Sequence, residues 1–388
     1  MTMREGEDIK DQRPIIGLTM GDPAGVGPEI IVKALQAPGL TRDARFVIHG
    51  ANDILTLAAD RLGIEPSWQR VPADNRDLAG RAGSDIVVRD HEHGGTLMNL
   101  PPEPSKRGGH ASKAWVDAAV ADAMLDSSDP CAIDAIVTAP INKEAWHLAG
   151  HKWPGHTELL AHRARARRTA MFFESPRLRV ILATIHVPLM DLRNLLTIGS
   201  VFDPIDLGHQ ACLDLGIAAP RIAVAGLNPH AGESGLFGDE ETRVIEPAIR
   251  MARDAGIDVH GPLPGDSVFR EAIEGRWDLV VAMYHDQGLI PMKLAQHRSA
   301  VNWTVGLPFV RTSPDHGTAY DIAGTGKADP GSMEAAIRLA THLARRRVDD
   351  GLVRLPEDPL LARSAARRLH GHSAPFAAGE LQCHPSAR

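Results

Sequence analysis

The sequence predicts an α/β protein in two lobes, with largely parallel sheets flanked by helices. Three observations predict it. Short aliphatic runs alternate with amphipathic segments along almost the whole chain, the pattern of parallel strands joined by helical crossovers. The chain has 388 residues, which suits two domains or two lobes sharing one sheet. Hydrophobic residues make up 43% and aromatics only 4%, so the core is ample and aliphatic.

In chain order, residues 1–13 are charged and lack the apolar core of a secretory signal. Ile15 to Met20 reads as the first strand. It runs into Gly21-Asp22-Pro23-Ala24-Gly25-Val26-Gly27-Pro28-Glu29 and a helix to Leu35, with Pro28 suited to the first helical turn. Gly25 and Gly27 start a dinucleotide fingerprint, but Ile30 stands where its third glycine belongs. A tight strand-to-helix turn explains these glycines as well as a phosphate cradle does. Strands follow at 45–49, 85–88 and 133–138, with helices at 52–62 and 110–126 and a Gly/Pro-rich loop at 90–109. Another helix starts at Asn142-Lys143-Glu144, and a further one, 157–167, opens at Gly155-His156-Thr157. Strands are expected at 169–173, 178–186, 221–227, 257–260, 279–283 and 300–305. Helices are expected at 202–215, 240–255 and 332–346, and a loop from Gly306 to Asp329. The stretch 349–388 is rich in Arg, Ala, Pro and His, with weak periodicity, and reads as a disordered tail. On this partition 14–150 with 300–348 form a first lobe on the cofactor side. Residues 151–299 form a second on the metal and dimer side.

Net charge is −7 and the isoelectric point about 6.2, which argues against a nucleic-acid binder. No apolar run approaches the roughly 20 residues that cross a bilayer. Cys131, Cys212 and Cys383 are odd in number, far apart and in no metal spacing, as expected of a reduced cytoplasmic protein.

The candidate chemistry is centred on 279–293. A buried run, Leu279 to Met283, surfaces as Tyr284-His285-Asp286-Gln287-Gly288, read as a polar loop that turns at Gly288. Ligands of open α/β sheets bind just outside the carboxyl ends of strands. His186 and His230 end apolar runs in the same way. Taken singly, each imidazole is an ordinary hydrogen-bonded strand end. Together, His186, His230 and His285 suit a metal site with an open position, with Asp266 and Asp286 as added ligands or orienting partners. A second group, His156 and Thr157 at a helix start with Lys293, Asn302 and Arg311, suits a phosphate or carboxylate. A third, the Gly-rich loop 315–329, suits close approach of a cofactor, with Asp315, Gly317, Thr318 and Asp321 as candidate contacts.

These stretches in order resemble the 4-hydroxythreonine-4-phosphate dehydrogenase family of pyridoxal phosphate biosynthesis. The motifs that carry the resemblance begin with the 19–29 turn and Pro154-Gly155-His156-Thr157-Glu158. Leu227-Asn228-Pro229-His230-Ala231-Gly232-Glu233, Met283-Tyr284-His285-Asp286-Gln287-Gly288 and 311–319 complete them. The resemblance spans about 14–345 and implies the fold of isocitrate and isopropylmalate dehydrogenases, which bind NAD without the usual glycine fingerprint. It implies a homodimer with a shared active site. There His186, His230 and His285 hold a divalent metal (zinc, magnesium or cobalt), one imidazole crossing the interface. It also implies substrate contacts from His156, Thr157, Lys293, Asn302 and Arg311, and NAD or NADP as oxidant. The reaction it implies is oxidation of the secondary alcohol of 4-phosphohydroxy-L-threonine, then decarboxylation to 3-amino-2-oxopropyl phosphate. Asp266, Asp286 and Lys293 are the candidates for proton transfer. Thr138-Ala139-Pro140-Ile141-Asn142-Lys143-Glu144-Ala145 looks closer to a branch acting on 4-phosphorylated threonate or erythronate, so that alternative stands beside the first. A non-catalytic metabolite binder on the same fold and a reductase using the 21–30 turn are the rivals from other classes.

Overall fold

A computed structural model describes residues 12–75, 84–91, 97–295 and 299–349. The expected tail lies outside the described residues, apart from its first residue, Asp349, which ends the last helix. The strands in chain order are β1 Ile15–Thr19, β2 Arg45–Gly50, β3 Gln69–Pro72, β4 Ile86–Asp90, β5 Ala135–Thr138 and β6 Ala170–Glu174. They continue with β7 Arg179–Leu182, β8 Ile222–Ala225, β9 Val259–Leu263, β10 Leu279–Ala282, β11 Val301–Val305 and β12 Val310–Pro314. All twelve join one sheet in the order β3-β4-β2-β1-β5-β12-β11-β6-β7-β10-β8-β9.

The sheet is parallel on both flanks and antiparallel only at its centre, across β12/β11, β11/β6 and β6/β7. The two parallel flanks therefore run in opposite directions. Central strands such as β1, β5, β8 and β10 are buried on both faces and consist almost wholly of Ile, Val, Leu and Ala. Helices cover both faces. Helix Lys106–Ala123 packs on β1, β2 and β5, and Gly331–Asp349 on β5, β11 and β12.

Several elements differ from the sequence expectation for identifiable reasons. The helix expected from 202 starts at Ile198, because Thr197 and Ser200 form a reciprocal cap, Ser200 N to Thr197 Oγ1 at 3.1 Å and Thr197 N to Ser200 Oγ at 2.8 Å. Helix Gly265–Ile273 was not expected; it buries Val268, Phe269 and Ala272 on one face. The segment after β10 is no loop. It opens helix His285–Ala295, and Gly288 lies inside it. Glycine stands there for space, since a Cβ would fall 2.7 Å from Leu182 Cδ2 and 2.8 Å from Val180 Cγ1. Strand β12 lies in the stretch expected as loop, and β3 was not expected. The run 178–186 leaves the sheet at Leu182.

Candidate active site

On the sheet centre, successive side chains alternate between faces. That alternation puts Thr138 of β5, Arg311 and Ser313 of β12, Asn302 of β11 and Met171 of β6 around one cavity of about 360 Å³. His156, Thr157 and Glu158 close it from the start of helix His156–Arg163, with Lys143, His186 and Lys293 at its sides. All five residues expected to grip an anion thus line one space. That space lies over the sheet where strand direction reverses, while His186 and His285 follow strands β7 and β10 beside it.

Arg311 dominates its electrostatics. Its side chain is 2% exposed, and burial pushes the guanidinium down to about 9, still cationic at neutral pH. Nη1 donates to Thr304 Oγ1 at 2.9 Å and Nη2 to Thr138 Oγ1 at 2.6 Å. Nε has no acceptor, and no carboxylate pairs with the group among the described residues. The group is bonded only to hydroxyls, and the Glu158 carboxylate in the same cavity offsets its charge only through space, so an arriving anion would stabilise it. Beside it, His156 Nε2 and Asn302 Oδ1 are buried and also without partners. Burial, then Arg311 and Lys143, hold His156 well below the usual imidazole range, so it meets a ligand as a neutral ring. Lys293 differs: it is half-exposed and lies 3.8 Å from Asp315, one of the residues expected at the cofactor.

The three strand-end histidines do not all meet within one chain. His186 and His285 are neighbours, ring centroids 5.8 Å apart. Asp286 Oδ1 lies 2.7 Å from His285 Nδ1, a geometry that leaves Nε2 free. Burial and then Lys143 hold His186 below its usual range, toward the neutral form that ligates metals. His230 instead lines a separate groove of about 670 Å³ with Asp266, Asp286 and Gln287. Among the described residues no group of three His, Cys, Asp or Glu is placed to hold one ion. Asp266, exposed, belongs to that groove and not to the cavity of Arg311.

A third cavity, about 440 Å³, lies between Pro23, Ala24, Gly25 and Glu29 on one wall and Ala323, Gly324 and Gly326 on another. The glycine turn and the 315–329 loop, weighed as rival cofactor sites, therefore face the same space. They are tied together. Val26 N donates to Thr318 O at 2.9 Å, a Cβ on Gly25 would sit 2.9 Å from that oxygen, and Tyr320 donates its hydroxyl to buried Asp22 at 3.0 Å. Burial raises the Asp22 carboxyl above its ordinary range. The Glu29 carboxylate accepts from Ala328 N at 3.0 Å and Gly326 N at 3.3 Å, while Lys33 Nζ donates to both of their carbonyls at 2.7 Å. Thr318 is buried in this packing, and Asp321 is exposed outside the cavity wall.

Residues 42–340 match the family model described as pyridoxal phosphate biosynthetic protein PdxA. The chain belongs to the PdxA family. A curated PdxA-like relative, 4-hydroxythreonine-4-phosphate dehydrogenase of Desulforapulum autotrophicum, is 44% identical over 337 residues, 86% of this chain and 96% of the relative. D-threonate 4-phosphate dehydrogenase of Salmonella typhimurium is 46% identical over 329 residues, 85% and 98% of the two chains. The crystal structure of 4-hydroxythreonine-4-phosphate dehydrogenase from Klebsiella pneumoniae superposes with a TM-score of 0.74 at 42% identity, covering 86% of this chain and 99% of that one. The α/β fold with a largely parallel sheet and the dehydrogenase class are thereby established for this chain.

Two features around these cavities escaped sequence reasoning. One is Lys143, which gave only a helix-start signal. The other is Glu241, a buried carboxylate whose partners are remote in sequence. The turn that carries His230 is left-handed: His230, Ala231, Gly232, Glu233 and Ser234 all have positive φ, between 42° and 82°. For L-residues that costs roughly 1–2 kcal/mol each. Glu241 holds its base, accepting from Leu227 N and Asn228 N at 2.7 Å and from Asn228 Nδ2 at 2.9 Å. Glu241→Ala should lower stability by about 3 kcal/mol, the loss of several charge-assisted bonds. Thermal melting checks this; an unchanged melting temperature would show the turn supports itself.

Proposed function

We propose that this chain oxidises the secondary alcohol of a phosphorylated hydroxy acid, 4-phosphohydroxy-L-threonine or D-threonate 4-phosphate, with NAD or NADP. The single observation that carries the reading is Arg311, a buried cation without a carboxylate partner, in a cavity with His156, Thr157, Asn302 and Lys293. Guanidinium and ammonium groups with a helix start suit a phosphate. Relatives named for the two substrates are similarly close, at 44% and 46% identity, so both remain in the proposal. The 440 Å³ cavity, apolar on one side and lined by backbone on the other, suits the dinucleotide.

The donor set of one chain fits two of the three imidazole positions of a divalent-metal site. His186 and His285 offer two adjacent imidazoles, and Asp286 orients the second. The third, His230, would come from a second copy of the chain. Exposed Leu189, Met190 and Leu195, close after His186, favour such a homodimer. When bound, a divalent cation supplies Lewis-acid stabilisation of negative charge on the carbinol oxygen. The chain's own residues do the rest. Arg311, Lys293 and Thr157 anchor the phosphate, so binding energy positions the carbinol carbon. Neutral His156 can donate or accept one hydrogen bond without adding charge. Asp286 fixes the tautomer of His285 from its Nδ1 side, while Asp266 lies in the other groove with His230. Loss of carbon dioxide from the resulting β-keto acid completes the proposed reaction.

The deciding experiment assays 4-phosphohydroxythreonine, D-threonate 4-phosphate and D-erythronate 4-phosphate side by side, with NAD and NADP, reading reduced-cofactor absorbance. No reduction with any of them would refute the proposal and favour a non-catalytic binder. Glu29→Ala should raise KM for the dinucleotide about tenfold, because two charge-assisted bonds that shape its cavity are lost. KM for the phosphorylated acid should stay within about twofold, as the sites are separate. Equal changes in both would break the assignment of the cavity.

A further inference from the structure

We propose that Glu158 accepts a hydrogen bond from the substrate's phosphate, which therefore binds with one proton on it, and that this proton makes the site reject sulfate. The inference rests on the reading of the Arg311 cavity as the phosphate site. Among the described residues two carboxylates line that cavity, Glu158 and Asp315. Asp315 faces Lys293 at 3.8 Å. The Glu158 carboxylate has neither a hydrogen bond nor an ion pair among the described residues.

Its place is set by the helix that grips the anion. Glu158 is the third residue of helix His156–Arg163, directly after His156 and Thr157. A glutamate at that position ordinarily reaches back to the amide that precedes the helix. Glu158 makes no such bond. Its Oε2 lies instead by Gly155, another wall residue, where an added Cβ would come within 3.4 Å of it. Lys143 Cε would lie 3.7 Å from the same Cβ, yet the two side chains make no ion pair. Arg311 feels the carboxylate only through space. Glu158 thus stands at the phosphate grip with its acceptor oxygens unused.

A phosphate monoester in water loses its second proton near about pH 6 and is mostly a dianion at neutral pH. Held by Arg311, His156 and Thr157, a dianion would meet the Glu158 carboxylate with like charge and no donor between them. One proton removes the conflict. The phosphate O–H then donates to a Glu158 oxygen, a charge-assisted bond of the short and strong kind, while the other phosphate oxygens accept from Arg311 and Thr157. The proton stays on the phosphate. Sulfate has the same shape and charge as the dianion and carries no proton at neutral pH. The carboxylate that recognises a protonated phosphate therefore repels it.

The test measures calorimetric binding of inorganic phosphate and inorganic sulfate to wild type and to Glu158→Gln at neutral pH, without turnover. Wild type should favour phosphate by roughly 100-fold or more, because sulfate leaves the carboxylate facing an anion with no proton between them. Glutamine keeps the shape, removes the charge and can donate from its amide. Glu158→Gln should therefore bring the two anions within about threefold of one another, chiefly by gaining sulfate. Equal affinities in wild type would overturn the proposal, and so would an unchanged preference in Glu158→Gln. Equal gains for both anions in the variant would reduce Glu158 to a repelling charge and overturn it as well. If wild type bound neither anion, the phosphate reading of the cavity would fall together with this one; phosphate and sulfate bound alike would sink only the shared proton.

Discussion

Arg311→Met is expected to raise KM for the phosphorylated substrate by about 10²- to 10⁴-fold without lowering the melting temperature. The two halves have one cause. In the native protein the guanidinium is buried, bonded only to Thr304 and Thr138, and left with an unpartnered Nε. Charge-assisted bonds to a phosphate are worth roughly 1.5–3 kcal/mol each, and losing two gives the expected factor. Methionine has similar length and carries no charge. Arg311 makes no ion pair and feels Glu158 only through space, so an apolar side chain there removes the cost of burying a charge. The position is thus expected to trade stability for binding. Steady-state kinetics and a thermal melt of one variant read both halves. An unchanged KM would remove the anion role, and a strongly lowered melting temperature would make Arg311 structural.

His230→Ala and His285→Ala should each abolish turnover and metal content together, by a factor above about 10³, with the fold intact. His285 pairs with His186 in one chain, whereas His230 lies in another groove. If one site draws on two chains, the two inactive variants should rescue one another. Mixed and reassociated in equal amounts, half the dimers are hybrids, and each hybrid holds one intact site. Activity should then recover to roughly a quarter of wild type. No recovery, with hybrids shown to form, would place all three imidazoles in one chain or dismiss the site. Full activity in metal-stripped His230→Ala would defeat the metal role entirely.

Much of this architecture was legible in the residues. Aliphatic runs such as Leu279 to Ala282 and Ile222 to Ala225 can only be doubly buried parallel strands, and they are. The anion group was legible because Arg311 and Lys293 stand alone in uncharged stretches. Strand β12 was not, for a related reason. Its run Val310 to Pro314 contains a buried arginine and ends in proline, so no apolar alternation marks it. The helix after β10 was masked by Gly288 and Pro291, which signal a turn unless the packing of Val180 and Leu182 is known. Glu241, the left-handed turn and the shared wall of the third cavity depend on contacts between distant segments.

By itself, then, the order of residues determined most of the strands and helices and which side chains are chemically equipped. Periodicity and residue type act over a few neighbours, and short-range physics reads them directly. Only the tertiary structure decided which of those side chains meet. The sheet reverses direction at its centre, so the anion cavity opens over a face, the two candidate cofactor stretches share one space, and His230 parts from His186 and His285. Such encounters arise from strand order and packing across long sequence separations, which no local pattern encodes.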